Sequence, residues 1–400
     1  MRRPKGTGTL TQRADGLWIG RADAGYTMAG NRRRLTVSSR SKAEAQRKLR
    51  DLLRTIHDEG SPAAINVRLT VKAWSDQWLP MHATRVRPTT YTTDAGTIRK
   101  WIVPTIGHRR LADLTPADTR ALRRAITAAG RSTTTALHAH KILTKMLKDA
   151  VIEGHHVPQR VFLADKPAKA SNDRDAVPVA DLLRILDAAS RRDDGARWVV
   201  GIFTGARQGE VLGLEWDRLT LPREGDGAAD LSWQLQHLTD GHDTPDNWDA
   251  RHLEGRAWLT RPKTKKGARR IPLVPGVVVA LSTHRSAHPS GQLVFTNNGH
   301  PIQAHADRAA WQALQREAGV SHPSGRPWLI HETRHAAATL MRRAGVPDRV
   351  REAILGHVKL VETYDHADDQ DTRDAMAAYA ALLTPRAALP SAGDAAPGAG

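Results

Sequence analysis

The segment His331-Glu332-Thr333-Arg334-His335 can be read as chemistry in two ways. As H-E-x-x-H in mid-helix it would hold zinc between two histidines, with Glu332 as general base. As the first turn of a helix it would bring His331, Arg334 and His335 to a positive helix end. There, unpaired N–H groups and the macrodipole add to the side-chain charge and favour an anion. Two features weigh against zinc: no third histidine follows in the metzincin spacing, and Arg334 would set a cation beside the metal. Farther on, Gly356 is placed to end a helix, so His357 begins a loop where its ring can be aimed. Tyr364, one of only four tyrosines, follows seven residues later. Arg207 stands between two apolar stretches, and a partly buried guanidinium needs an anion, either Glu210 three residues on or a ligand. Lys263, Lys265 and Lys266 crowd a turn between two strand-like runs, which predicts a hairpin whose tip is solvated or touches phosphates.

The elements that must position these residues follow from their periodicity. Residues 198–216 read as an apolar helix, a Thr-Gly break, then a second helix opened by Arg207. Pro327-Trp-Leu-Ile leads into the helix of His331, which Gly345 ends, and Pro347 opens the next helix. Tyr379 falls in a helical, core-like stretch. Upstream, residues 1–60 alternate polar and apolar types and break at Asp15-Gly16 and Gly30-Asn31, predicting two or three short strands. Ser41 and Glu44 have the spacing of a capping box opening a basic helix. Val71, Trp74 and Trp78 recur on one helical face, and helices are expected over 88–102, 115–129 and 131–153. The second of these is opened by a Thr115…Asp118 box with Pro116 at its first position. Linkers are read at 61–65 and 160–175. The insert 223–256 carries no readable role, and residues 385–400 have the composition of a disordered tail.

Charge narrows the partner. The 400 residues hold 60 Lys+Arg against 42 Asp+Glu, a net +18, and the first sixty hold fourteen against six. Such a surplus favours a polyanion, most often nucleic acid, with salt-sensitive binding. Arg32, Arg33 and Arg34 in the basic N-terminal strands are candidates for DNA contact, as are Lys265 and Lys266. The absence of cysteine excludes a disulfide framework, a thiolate nucleophile and Cys-ligated zinc. No apolar run approaches a membrane span and no apolar leader follows the basic N-terminus, so an intracellular, cytoplasmic protein is expected.

Five motifs occur in one order: TGARQGEVLGLEW, PKTKKGARRIPL, HETRH, AGVPDRVREAILGH and TYDH. Together they resemble the tyrosine recombinases, the family of phage and mobile-element integrases, and the resemblance covers residues 1 to about 384. It implies a multidomain fold: a small β-sheet-plus-helix N-terminal domain (1–60) for arm-type DNA, an all-α core-site-binding domain (66–158) and a mixed, mainly α catalytic domain (174–384). It implies a catalytic set of Arg207, Lys263, His331, Arg334, His357 and the nucleophile Tyr364, supported by Glu210 and His335. It further implies breakage and rejoining of double-stranded DNA at attachment sites through a 3′-phosphotyrosine, without metal or other cofactor. The implied partners are a tetramer of the chain itself on DNA and an accessory DNA-bending or directionality protein. Thr333 stands where the family has an apolar residue, and the interval from His357 to Tyr364 is shorter than usual in such families. The alternatives are a catalytically inert DNA-binding relative and, from HETRH, a zinc-dependent hydrolase.

Overall fold

The computed structural model describes residues 8–26, 32–59, 68–170, 175–223, 227–238, 248–262, 267–356 and 368–383. The chain divides into two compact units, residues 1–171 and 172–400. The expected linker at 61–65, the break at Gly30-Asn31 and the tail 385–400 lie outside the described residues.

The first unit begins with an antiparallel sheet of β1 (Thr9–Gln12), β2 (Trp18–Tyr26) and β3 (Arg32–Ser39). Gly16 turns β1 into β2 with φ +82°. Helix α1 (Lys42–Glu59) covers the sheet, with Ala45 and Leu49 buried beside Ala22 and Ala24. The Glu44 carboxylate accepts from Ser39 Oγ (2.8 Å), which itself accepts from Ser41 N–H (3.2 Å), so the cap reaches two residues farther back, to the end of β3, than the Ser41–Glu44 spacing suggests.

An all-helical core follows: α2 (Val71–Arg85), α3 (Pro88–Thr97), α4 (Val103–Ile106), α5 (Pro116–Ala128) and α6 (Thr133–Ile152). A π turn, Ile98–Ile102, joins α3 to α4. The expected face of α2 is the buried one: Val71, Trp74 and Trp78 are all nearly inaccessible. Each indole also finds an acceptor on α6, Trp74 Nε1 donating to the Met146 carbonyl (2.8 Å) and Trp78 Nε1 to Asp149 Oδ2 (2.6 Å). The Thr115/Asp118 capping box that opens α5 is present as read.

The second unit is helical around two small sheets. Its elements are α7 (Val179–Ser190), α8 (Gly195–Thr204), α9 (Gln208–Leu212), β4 (Leu219–Thr220), β5 (Gly227–Asp230), β6 (Gln234–His237), β7 (Ala250–Glu254), β8 (Ala257–Thr260) and β9 (Arg270–Leu273). They continue as α10 (Pro275–Ala287), β10 (Thr296–Asn297), β11 (His300–Pro301), α11 (Ala304–Glu317), α12 (Ile330–Arg343), α13 (Asp348–Leu355) and α14 (Asp369–Ala381). One extensive core joins Ile185, Leu212, Leu259, Trp311, Leu340 and Tyr379.

The hairpin expected around Lys263 is not what forms. β8 pairs with β6 and β7, whereas β9 pairs with β5, so the two runs belong to different sheets. The cause lies upstream, where Asp230 Oδ1 accepts from Ser232 N–H (2.9 Å) and breaks one long strand into β5 and β6. Each half then takes its own partner. The same observation gives the 223–256 insert a structural place, because it supplies β5, β6 and β7.

Candidate active site

The site is built where α8, α9, α12 and α13 end or begin. α8 stops at Gly205, which holds φ +59°; a Cβ there would come within 2.7 Å of Leu355 Cδ2 and 3.1 Å of Ala337 Cβ. Glycine therefore lets this turn lie directly on α12 and the end of α13. Two residues later Arg207 caps α9. Its own N–H and its Nη1 both donate to Glu210 (2.8 Å each), and its Nη2 reaches the Gly356 carbonyl at 3.5 Å.

Glu210 is 2% exposed and has a second cation. Arg269 donates Nη1 and Nη2 to its two oxygens (3.1 and 2.9 Å) and Nε to the Ile354 carbonyl (2.6 Å). Arg334, on α12 and also 2% exposed, donates Nη1 to the Gly205 carbonyl (2.6 Å) and Nη2 to the Leu355 carbonyl. The carbonyls of Ile354, Leu355 and Gly356 thus each receive a different arginine. The last carbonyls of a helix lack intrahelical donors and carry its negative end, so three guanidiniums gather there for a reason.

The charges do not balance. Three guanidiniums face one carboxylate, a net +2 in a largely buried setting. Burial alone would raise the Glu210 carboxyl, but the hydrogen bonds and charge of Arg269, then those of Arg207, carry it below its ordinary value. Burial, followed by the charges of Arg207 and Arg269, lowers Arg334 to about 9 against the pull of Glu210. Such a cluster has room electrostatically for an anion.

Beside Arg207 opens a cleft of about 390 Å³, also lined by Gln208, Trp328, Ile330 and His331. His331 stands exposed at the start of α12, its ring 4.9 Å from that of His335 and nearly perpendicular to it. Of the residues singled out from sequence, Arg207, Glu210 and Arg334 come together, and His331 shares the cleft with Arg207. Lys263, Lys265, Lys266, His357 and Tyr364 lie outside the described residues, though His357 follows directly on the arginine-held Gly356. Arg32, Arg33 and Arg34 lie on β3, with Arg34 exposed.

Glu332 has another task than metal chemistry. It is fully buried, accepts from Leu329 N–H (2.7 Å) as the N-terminal cap of α12, and is held by both terminal nitrogens of Arg326 (2.6 and 2.9 Å). A carboxylate so occupied is no general base, which disfavours the zinc reading of HETRH. Tyr379 is equally committed: it is wholly buried, its hydroxyl donates to the Ile202 carbonyl (2.9 Å), and burial raises its phenol.

Arg269 was not singled out from sequence, although a signal existed. Arg269, Ile271 and Leu273 alternate along an extended segment, so they share its inward face, while Arg270 points out.

Residues 247–371 match the Phage integrase family, and residues 70–125 match the phage integrase N-terminal SAM-like domain. An integrase of Saccharopolyspora erythraea is 25% identical over 93% of this chain and 96% of its own length. Among solved structures, the fold is shared with the Tn1549 transposon integrase in complex with transposon right-end DNA (TM-score 0.60, 19% identity, 77% of this chain and 98% of that one). It is shared also with a lambda integrase tetramer bound to a Holliday junction (TM-score 0.56, 16% identity, 90% and 95%). Ordered motifs, the two domain matches and the shared fold agree in their likeness to the phage integrases among the tyrosine recombinases.

Proposed function

We propose that this protein is a site-specific DNA recombinase, an integrase that breaks and rejoins DNA through a 3′-phosphotyrosine. The observation that carries the reading is the uncompensated arginine cluster around Glu210, which adjoins a cleft lined by His331 and ends at the residue preceding His357. A phosphodiester repels nucleophiles, and more negative charge develops on its oxygens as a fifth bond forms to phosphorus. Arg207 and Arg334 are placed to answer that charge, with His331 and His357 as further donors; losing one such preorganised donor typically costs ~10²–10³ in rate. The Tyr364 phenol, with an ordinary pKa of about 10, loses its proton and its oxygen bonds to phosphorus. The 5′-oxygen leaves with a proton from Lys263, and the DNA 3′-phosphate remains on the tyrosine. Attack by a 5′-hydroxyl reverses the sequence on a new strand.

In the same reading residues 1–60 bind arm-type DNA through a basic sheet that includes Arg32, Arg33 and Arg34. Residues 66–158 and 174–384 bind the core site, with Lys265 and Lys266 against its backbone, and His335 and Glu210 support the catalytic groups. Protomers assemble as a tetramer on DNA, as the lambda integrase does on its Holliday junction.

The test is a core-site DNA nicked beside the scissile phosphate, so that the leaving fragment diffuses away. Wild type is expected to accumulate a detergent-resistant protein–DNA adduct joined through the 3′-phosphate, with or without a chelator. Tyr364→Phe should abolish the adduct and keep DNA binding, whereas Tyr379→Phe should still form it. If wild type binds its attachment site but forms no adduct, the protein is an inert DNA-binding relative.

A further inference from the structure

Arg269 differs from the other two arginines of the cluster in where its donors go. Arg207 leaves its side chain 39% exposed toward the cleft, while Arg269 is 6% exposed and turns inward. Its guanidinium spans three pieces of chain: the Glu210 carboxylate on α9, the Ile354 carbonyl on α13, and the Gly267 carbonyl (3.1 Å) at the end of the segment that carries Lys263. It also stands against the left-handed turn that ends α13: a Cβ on Gly356 would lie 3.0 Å from Arg269 Nη1. We infer that Arg269 is a positioning residue for strand cleavage, fixing Glu210, and through it Arg207, against the helix end from which His357 departs. This rests on the recombinase reading above.

Arg269 also sets the charge at the site. Glu210 alone would neutralise Arg207, since the two are in contact at 2.8 Å. Arg269 supplies a second cation to the same carboxylate, so that the trio keeps a net +1 and Arg207 can still attract a phosphate oxygen. The fork matters as well as the charge. Glu210 takes one bond on each oxygen from Arg269, which leaves the remaining lone pairs for the backbone and side chain of Arg207. A lysine would offer the charge without the paired geometry.

The charged groups facing Glu210 are Arg207 from its own helix start, Arg269 from the segment before β9, and Arg334 from α12. Arg269 is the strongest of them in keeping the carboxyl ionised. In Arg269→Gln the Glu210 carboxyl therefore titrates at a higher pH, and a protonated Glu210 cannot hold the Arg207 fork. Cleavage should then be lost as pH falls through a limb that lies higher than in wild type. A residue that only stabilised the fold would lower the melting temperature and leave this limb in place.

The experiment is single-turnover adduct formation on the nicked core-site DNA, measured with the full-length protein from pH 5 to 8 alongside wild type. Arg269→Gln is expected to bind DNA within about twofold of wild type, to cleave ~10²-fold more slowly, and to show its acid limb at higher pH. A pH profile that superimposes on wild type after scaling overturns the inference. Should the glutamine variant not fold, Arg269→Lys is expected to bind DNA normally and cleave at least about tenfold more slowly; wild-type cleavage by Arg269→Lys overturns it too. Failure of wild type itself to form the adduct would instead remove the recombinase reading.

Discussion

Glu210 and Glu332 occupy the same local position and end in opposite electrostatic states. Each is the third residue of its helix, each accepts the backbone N–H of the residue just before that helix (2.8 and 2.7 Å), and each is almost wholly buried. Glu332 meets one arginine, Arg326, and the pair is neutral. Glu210 meets two, Arg207 and Arg269, with Arg334 behind them. A third buried carboxylate, Glu215, also binds two arginines, Arg218 and Arg251, yet Arg218 shares Asp230 and the charges there close. Buried carboxylate–arginine contacts are thus common in this unit, and contact alone says nothing about function. The residual charge does, because a buried surplus is costly unless a ligand supplies the missing anion.

The largest effect should come from the unbalanced cluster. Arg334→Lys keeps the surplus but loses the fork that spans the Gly205 and Leu355 carbonyls, so single-turnover cleavage should fall ~10²–10³-fold with DNA binding retained. Normal cleavage by a folded Arg334→Lys protein would show that net charge suffices and that the geometry around Glu210 is incidental.

Gly205→Ala probes the backbone on which that geometry rests. Alanine would have to adopt φ +59° and place a methyl 2.7 Å from Leu355 Cδ2. The expected loss is about 1–3 kcal/mol of stability from backbone strain, read by denaturant unfolding, together with slower cleavage as the end of α13 is displaced. Adding Leu355→Ala should restore part of the cleavage, by removing the clash, and little of the stability. If the double variant cleaves no faster than Gly205→Ala alone, the turn does not position α13.

How much of this could be read from sequence depended on range. Local signals served well: the Thr115/Asp118 box, the Val71-Trp74-Trp78 face, and the helix stops at Gly345 and Gly356 all form. Arg207 was legible as a partly buried cation needing an anion, and its two possible partners were both visible. The failures are long-range. Nothing near Lys263 reveals that an Asx turn at Asp230 sends β8 and β9 to different sheets. Nothing near Glu332 reveals Arg326 as its partner, since HETRH fits the zinc template equally well as a string. Arg269 was missed because adjacent arginines in a basic stretch read as one solvated run, and only the period-2 alternation with Ile271 separates the inward residue from the outward one.

The smallest expected effect belongs to the balanced pair. Arg326→Gln leaves Glu332 buried with its backbone N–H bond but without its cation, which should cost about 1–3 kcal/mol of stability. Adduct formation per folded molecule should stay within about threefold of wild type, well under the 1.4 kcal/mol that makes a factor of ten. The pH dependence fixes the sign. Burial would raise the Glu332 carboxyl, but the Arg326 hydrogen bonds, the Leu329 N–H and the Arg326 charge outweigh it and lower the folded value. A carboxyl lowered on folding contributes stability that is present above its unfolded value and is lost as pH falls through the folded one. Wild type should therefore lose stability on acidification below the ordinary glutamate range, and Arg326→Gln should flatten that slope, because the main cause of the lowering is gone. If the variant instead keeps the wild-type slope and loses cleavage as severely as Arg334→Lys, then Glu332 belongs to the reacting site and the distinction between balanced and unbalanced carboxylates fails.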